Sequence, residues 1–167
     1  MEDLRTFKNY KKMKDAHQKD INEFGFIFVF AFTEKEFIEK MVDAIKERKP
    51  KCTGITTIKG IAKYVVSIGA GGYVLREDIP KMNQMFKRHE EERKLFRKTE
   101  KALVEEILYE MNNHEYGYTR DPFDTLVALN KSKKDFDNEM FKKAWKKAEK
   151  KCFCIFDEIE KGDENNG

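Results

Sequence analysis

The 167 residues of this chain are 40% hydrophobic and 39% charged, and 34 basic side chains nearly balance 31 acidic ones, for a net charge of +3. This hydrophobic content excludes an intrinsically disordered chain, and a chain of this length usually forms one domain. Because the charge is close to balance, it does not by itself indicate a nucleic-acid partner.

The cysteines and the longest apolar run indicate the compartment. Cys52, Cys152 and Cys154 are an odd number without a C-x-x-C motif, which favours a reduced protein. No apolar stretch of signal-peptide type opens the sequence, and the apolar run 24–32 is too short to span a membrane as a helix. We therefore expect a cytoplasmic protein with no membrane partner.

The N-terminal part predicts a helix, a strand and a second helix. Apolar residues recur every three or four positions over 4–21, which is the period of an amphipathic helix. Over 24–32, five phenylalanines alternate with small or aliphatic residues, as in a strand. Because both faces of that strand are apolar, we expect it to be covered on both sides, or covered on one side and buried against a partner on the other. Thr33 and Glu36 have the capping-box spacing, which predicts a helix over 34–48.

A glycine-rich tetrapeptide, 69–72, separates the two short apolar runs 64–68 and 73–75. Glycines of this kind can let backbone N–H groups approach a phosphate, but no Lys-Ser/Thr pair follows them here. We interpret the segment as the turn of a β-hairpin. With the Phe-rich strand, the hairpin predicts a small, mainly antiparallel sheet of three to four strands.

The C-terminal part is predicted to be helical. From Asp78, apolar residues recur every three or four positions up to a polar loop, which predicts a long helical region with a break near Thr99. A shorter helix over 122–129 follows, and Ser132 is expected to cap a last long helix over 133–152. These elements predict an α+β fold in which the small sheet packs against about five helices.

We expect residues 1–156 to form a single domain. The segment 157–167 is acidic and is predicted to be a disordered tail.

The polar loop after the long helical region contains the densest group of side chains able to transfer protons. His114, Glu115, Tyr118 and Arg120 are candidate catalytic residues, with His as a base and Tyr and Arg as partners of an oxyanion. No Ser or Cys nucleophile motif accompanies them. A partner-binding loop, with Tyr116, Tyr118 and Arg120 as binding residues, and a purely structural connection therefore remain alternatives.

His89, Glu110 and His114 are weak candidates for metal ligands. Glu110 and His114 are four positions apart and share one side of a helix, whereas His89 could join them only if the chain folds back near Thr99. Glu106 points away from the apolar face by helical geometry and is a poor fourth ligand. A hydrogen-bonded histidine at a helix end is the simpler interpretation, so we expect no metal and no cofactor.

The last predicted helix is rich in lysine. A basic helix can follow phosphates or dock on an acidic protein, and it can also be a solvated surface. The lysines that we regard as candidate binding residues lie largely off its apolar stripe: Lys142, Lys143, Lys146, Lys147 and Lys150.

Four motifs resemble a family of small uncharacterised proteins of bacteriophage, prophage and gut-bacterial genomes. They are FAFTEKEF at 30–37, SIGAGGYV at 67–74, MFKRHE at 85–90 and NHEYGYT at 113–119, the last followed by Arg120 and Asp-Pro. The resemblance spans roughly residues 5–130. No activity is established for that family, so no catalytic residue is carried over.

The resemblance implies a small protein of a mobile element that binds a host protein or nucleoprotein, for example a counter-defence inhibitor of a CRISPR–Cas system. We therefore expect a non-enzymatic binding protein. Two alternatives remain: a metal-dependent or acid/base enzyme that uses the loop from His114 to Asp121, and a nucleic-acid binder that uses the lysine-rich last helix.

Overall fold

The structure, a computed structural model, describes the backbone of residues 4–164 and the side chains of residues 4–154. Within these residues three strands form one antiparallel sheet in the order β1-β3-β2, and helices make up most of the rest, which confirms the α+β fold. The elements are α1 (Tyr10–Phe24), β1 (Ile27–Phe28), α2 (Glu34–Arg48), α3 (Ile58–Ile61), β2 (Val65–Gly69), β3 (Gly72–Leu75), α4 (Ile79–Phe96), α5 (Glu100–Asn113), α6 (Tyr116–Thr119), α7 (Phe123–Ala128) and α8 (Glu139–Glu164), with 3-10 helices at Arg76–Asp78 and Lys133–Asp137.

The chain divides into two compact units. One runs from Ala16 to His89, contains the sheet and is called the sheet unit here. The other contains the residues up to Asp15 and those from Glu90 onward, and is called the helical unit. Helices α1 and α4 contribute residues to both units.

The predicted hairpin is confirmed in the sheet unit, where β2 pairs with β3. Its turn residues Ala70 and Gly71 have φ values of 47° and 73°, and a type I′ turn requires positive φ at both positions. A Cβ atom at Gly71 would lie 2.7 Å from Cε1 of Phe30, so the turn is also closely covered. The glycine-rich segment is therefore accounted for by the hairpin itself.

The predicted strand over 24–32 is wrong in its extent, since only two of these residues form a strand. The chain itself covers one face, and the burial of the other face against a partner stays a prediction. Helix α1 continues to Phe24, and Gly25 ends it with a φ of 84°, a conformation that glycine adopts easily. Only Ile27–Phe28 pairs with β3. Met41 and Ile45 of α2 pack in one cluster with the Ile27 side of the strand, while alternate side chains point to the uncovered side.

Helix α2 begins where the capping signal predicted it. The Thr33 side chain accepts the Glu36 N–H at 3.2 Å, and the Glu36 carboxylate accepts the Phe32 N–H at 3.0 Å. These bonds satisfy donors that a helix N-terminus leaves unpaired. The predicted helix over 34–48 is confirmed as α2.

The core of the helical unit lies between α5 and α8, with Ile107 and Met111 facing Ala144 and Ala148. The small side chains of α8 let the two helices approach closely. Thr99 separates α4 from α5, as predicted, because its side chain accepts the Ala102 N–H at 3.2 Å.

The start of α8 differs from the prediction. Ser132 and Asp135 form a capping box that begins the short 3-10 helix, and Asn138 caps α8 by accepting the Phe141 N–H at 3.0 Å. The buried stripe of α8 contains Phe141, whereas the neighbouring Met140 is 40% exposed. Two successive capping signals divide a segment that the period alone indicated as one helix.

Helix α8 continues to Glu164 and so covers most of the segment 157–167, for which a disordered acidic tail was expected. The last three residues of that tail lie outside the described residues. None of the described helices combines the length and the apolar character needed to cross a membrane.

Candidate functional site

The most basic surface of the helical unit is the outer side of α8. The side of this helix that packs with α5 is buried at Ala144, Trp145 and Ala148. Because successive helical positions are about 100° apart, the exposed positions between 142 and 151 cover about half of the circumference. All of them are lysines, which we call the lysine face: Lys142, Lys143, Lys146, Lys147, Lys150 and Lys151.

Much of the lysine face has no acidic partner among the side chains that the structure describes. Lys147 Nζ lies 2.5 Å from a Glu100 carboxylate oxygen, and Lys142 Nζ lies 3.9 Å from one of Glu139. Among the side chains that the structure describes, no carboxylate forms an ion pair with Lys146, Lys150 or Lys151. The face therefore has positive charge that attracts acidic groups in solution.

The turn α6 packs against α8, next to the lysine face. Tyr116, one of the predicted binding residues, is only 5% exposed. Its hydroxyl donates to the Glu149 carboxylate at 2.5 Å, and its ring meets Trp145 edge to face with a centroid distance of 5.7 Å. Tyr116 thus anchors the loop to the helix.

The other side chains of this loop have different surroundings. Tyr118 is 68% exposed, and the Arg120 guanidinium lies 3.5 Å from the centre of the Phe153 ring on α8. Glu115 and Arg120 have φ values of 53° and 57°, which fold the chain into the single turn of α6. His114 contacts Glu110 of α5, so the His114 and Arg120 side chains engage different helices.

Tyr116 gives the helical unit a pH-dependent stability at alkaline pH. Burial and the hydrogen bond to Glu149 raise the pKa of Tyr116 to about 12, from 10.0. Folding therefore favours the protonated phenol, and this contribution is present below pH 10 and lost as the pH rises towards 12. We expect Tyr116→Phe to unfold more easily than the wild type at neutral pH, by about 1 kcal/mol, because the hydrogen bond is lost.

Above about pH 10 the difference in unfolding free energy between the wild type and Tyr116→Phe is expected to decrease. The wild type loses the contribution of the protonated phenol, whereas the variant has no phenol to ionise at this position. Urea unfolding at about pH 8 and at about pH 11 measures this difference in unfolding free energy at each pH. Tyr10, whose pKa is also raised by burial and by its bond to Glu110, is unchanged in both proteins and serves as the internal control. An equal difference in unfolding free energy at both pH values would contradict the prediction.

A groove of about 870 Å³ lies between α5 and α8. Val104 and Leu108 form its apolar floor. We call it the α5–α8 groove, and its lining residues are Glu100, Lys101, Val104, Glu105 and Leu108 of α5 and Lys147, Lys150, Lys151 and Cys154 of α8.

Both carboxylates of the groove already have partners. Glu100 pairs with Lys147, whose hydrogen bond holds the pKa of that carboxyl below its ordinary value. Glu105 accepts the Tyr10 backbone N–H at 2.9 Å. The charges that remain without an ion-pair partner among the described side chains are the negative charge of Glu105 and the positive charges of Lys101, Lys150 and Lys151. The lining therefore has a net positive charge, which favours an anionic occupant.

Glu110 is the centre of a second polar cluster in the helical unit and is 2% exposed. The Tyr10 hydroxyl donates to it at 2.6 Å and Lys14 Nζ at 3.0 Å, while His114 Nε2 lies 3.6 Å from its other oxygen. Two of the weak metal candidates, Glu110 and His114, are therefore neighbours. The cluster ties the start of α1 to α5.

A third cluster was not anticipated from the sequence. Glu106 is fully buried, and its carboxylate accepts hydrogen bonds from Arg93 Nε at 2.7 Å and from Arg97 Nε at 2.6 Å. Glu106 was placed away from the apolar face of its helix by helical geometry, and it is nevertheless buried, because the two arginines of α4 cover it. The two guanidinium groups also donate to the carbonyl oxygens of Ala128 and Leu129, which fixes the end of α7.

His89 belongs to the sheet unit, where its Nε2 lies 2.7 Å from the Asp20 carboxylate and its ring stacks on His17 at 3.9 Å between centroids. Arg88 donates to the same carboxylate at 2.8 Å. Stacked imidazole rings direct their nitrogen lone pairs outward in parallel planes, so they do not converge on one ion. Among the described residues, no group of three or more His, Cys, Asp or Glu side chains could hold a metal.

Residues 9–151 match the model of a family described as a family of unknown function, DUF7659. The chain belongs to this family. No curated protein and no solved structure matches the chain. Because the family description contains no activity, membership assigns no function to any residue.

In this DUF7659 protein the sheet unit exposes three phenylalanines. Phe28, Phe30 and Phe32 are 63%, 70% and 101% exposed. Next to β1, Lys40 Nζ donates to the Phe30 carbonyl at 2.9 Å. The phenylalanines thus form an exposed apolar patch on the sheet unit.

Proposed function

We propose that this protein is a non-enzymatic binding protein that engages an acidic host protein or nucleoprotein through the lysine face. The observation that carries the proposal is the half-circumference of lysines on α8, of which Lys146, Lys150 and Lys151 have no ion-pair partner among the described side chains. Unneutralised surface charge steers a partner of opposite charge and raises its association rate. Tyr118, exposed on the adjacent α6 turn, adds an aromatic side chain of the kind that interfaces favour.

A protein fits this surface better than a nucleic acid. Carboxylates without an ion-pair partner among the described side chains border the lysine face on both sides, with Glu149 next to α6 and Glu105 on α5. A phosphate backbone that crossed the helix would meet these like charges. A folded partner can instead present its acidic groups only where the lysines lie.

The motif resemblance suggests the biological context of the proposed binding. If the chain belongs to a phage or other mobile element of gut bacteria, the partner would be a host protein, such as a component of a CRISPR–Cas defence system. Binding would then block that component by covering its acidic surface. This part of the proposal rests on the resemblance alone.

Nucleic acid is the second candidate partner, and the density of lysines on α8 favours it. Such binding would weaken steeply with salt, in proportion to the number of phosphates that the lysines neutralise. Replacing single lysines would weaken it evenly across sequences.

The test is a tagged pull-down from bacterial lysate, with and without nuclease, read by mass spectrometry. It compares the wild type with the double variant Lys142→Glu/Lys146→Glu, which reverses two charges of the lysine face. We expect one dominant protein that survives nuclease, and a loss of about tenfold or more in its capture by the variant.

The matched control is Lys133→Glu/Lys134→Glu, which changes the net charge equally at two exposed lysines of the neighbouring 3-10 helix. It should capture the partner within about twofold of the wild type. Recovery of nuclease-sensitive material alone would favour the nucleic-acid candidate. Equal loss in both double variants would show that net charge, not the lysine face, determines capture.

A further inference from the structure

We infer that the α5–α8 groove binds about two turns of an acidic amphipathic helix that belongs to the protein partner. This inference rests on the proposed function and names the segment of the partner that is recognised. The groove is distinct from the outward-facing part of the lysine face, because its floor is apolar and one wall belongs to α5.

The length of the groove sets the length of the occupant. Its α5 wall extends from Glu100 to Leu108, which at 1.5 Å per residue is about 12 Å, or a little over two helical turns. An amphipathic helix places apolar side chains at i, i+3, i+4 and i+7 along such a distance. Val104 and Leu108 are one turn apart on α5 and provide the apolar surface for these anchors.

The charges of the groove determine the sign of the occupant. Lys101 lies on one wall, and Lys150 and Lys151 lie on the other. Glu100 is paired with Lys147, whereas Glu105 keeps its negative charge while it accepts the Tyr10 backbone N–H. The three lysines outnumber this one carboxylate, so an occupant meets a net positive charge. A helix with carboxylates on both flanks of its apolar ridge satisfies both walls, whereas a basic helix would be repelled by all three lysines.

The chain contains its own reporter for this groove. Cys154 lines it and is exposed, whereas Cys152 is fully buried and Cys52 is half-buried in the sheet unit. In a Cys52→Ala background, a thiol reagent should therefore label Cys154, and peptide mapping confirms the position. An occupant of the groove should slow this labelling.

The probe is a capped synthetic peptide of about 15 residues, with leucines at i, i+3 and i+7 and glutamates on both flanks. A matched control peptide has a lysine in place of each glutamate. We expect the glutamate peptide to slow the labelling of Cys154 at least about tenfold at saturation, and the lysine peptide to slow it less than about twofold. We also expect Lys150→Glu/Lys151→Glu to weaken the glutamate peptide about tenfold or more, and the control Lys133→Glu/Lys134→Glu to leave its affinity within about twofold.

The outcomes separate the inference from the proposed function. Equal protection by both peptides, protection by neither, or protection only by oleate or by duplex DNA would overturn the helix-binding groove. A partner that is captured through Lys142 and Lys146 but leaves Cys154 fully reactive would overturn the groove and support the proposed function. A protected Cys154 without any captured partner would leave the groove supported and count against the proposed function.

Discussion

Glu106→Gln is expected to lower the unfolding free energy by about 3 kcal/mol, one of the two largest effects that we predict for a single substitution. The buried carboxylate of Glu106 is the shared acceptor of Arg93 and Arg97. A neutral amide leaves two guanidinium groups close together without a counter-charge. Because the side chains of Arg93 and Arg97 are 25% and 19% exposed, partial hydration keeps the cost at the lower end of the range for broken buried pairs.

Urea unfolding followed by far-UV circular dichroism measures this loss. The control is Glu139→Gln, since Glu139 has a 73% exposed side chain and only a long contact to Lys142, and we expect a change below about 0.5 kcal/mol. In a double-mutant cycle, Arg97→Met should cost less in the Glu106→Gln background than in the wild type. Additive costs would show that the ion-pair network does not carry the stability.

Trp145→Ala is expected to lower the unfolding free energy by about 3–5 kcal/mol, because it opens a cavity in the core of the helical unit. Trp145 is 5% exposed and touches three other aromatic rings, with centroid distances of 5.7 Å to Tyr116, 5.1 Å to Phe136 and 6.0 Å to Phe141. These rings hold α6 and the preceding 3-10 helix on α8. The substitution should therefore also weaken the docking of the loop that contains Tyr118.

Trp145 is the single tryptophan, so unfolding of this variant must be followed by circular dichroism rather than by fluorescence. Trp145→Phe keeps an aromatic ring and is expected to fall between the wild type and the alanine variant. Val127→Ala is the exposed control, since Val127 is 60% exposed. A loss below about 1 kcal/mol for Trp145→Ala would contradict the view that this aromatic cluster is the core of the unit.

Local signals of the sequence predicted much of the secondary structure correctly. Thr33 with Glu36, and Thr99, mark helix starts that the structure contains, because a cap is a bond between residues three positions apart. The turn at Ala70 and Gly71 was predictable for the same reason. Where two local signals followed each other, at Ser132 and Asn138, the periodic pattern concealed the second one.

Burial was less predictable. The alternating phenylalanines over 24–32 predicted one long strand, but Phe24 belongs to α1, and Phe32 is fully exposed. Whether an apolar face is covered depends on which element packs on it, and that element comes from a distant part of the chain. Likewise, the sequence did not indicate that Glu106 is buried and paired, because its arginine partners lie on another helix, nine and thirteen positions earlier in the chain.

By itself the sequence determined the α+β composition, the antiparallel hairpin and the basic character of the last helix, since these follow from the period, from caps and from local charge. Only the tertiary structure decided which polar residues are buried and paired, that Tyr116 anchors its loop to Glu149, and that α5 and α8 enclose a groove beside the lysines. The physical reason is that burial and ion pairing depend on contacts between residues far apart in the chain, which no local pattern of residues specifies.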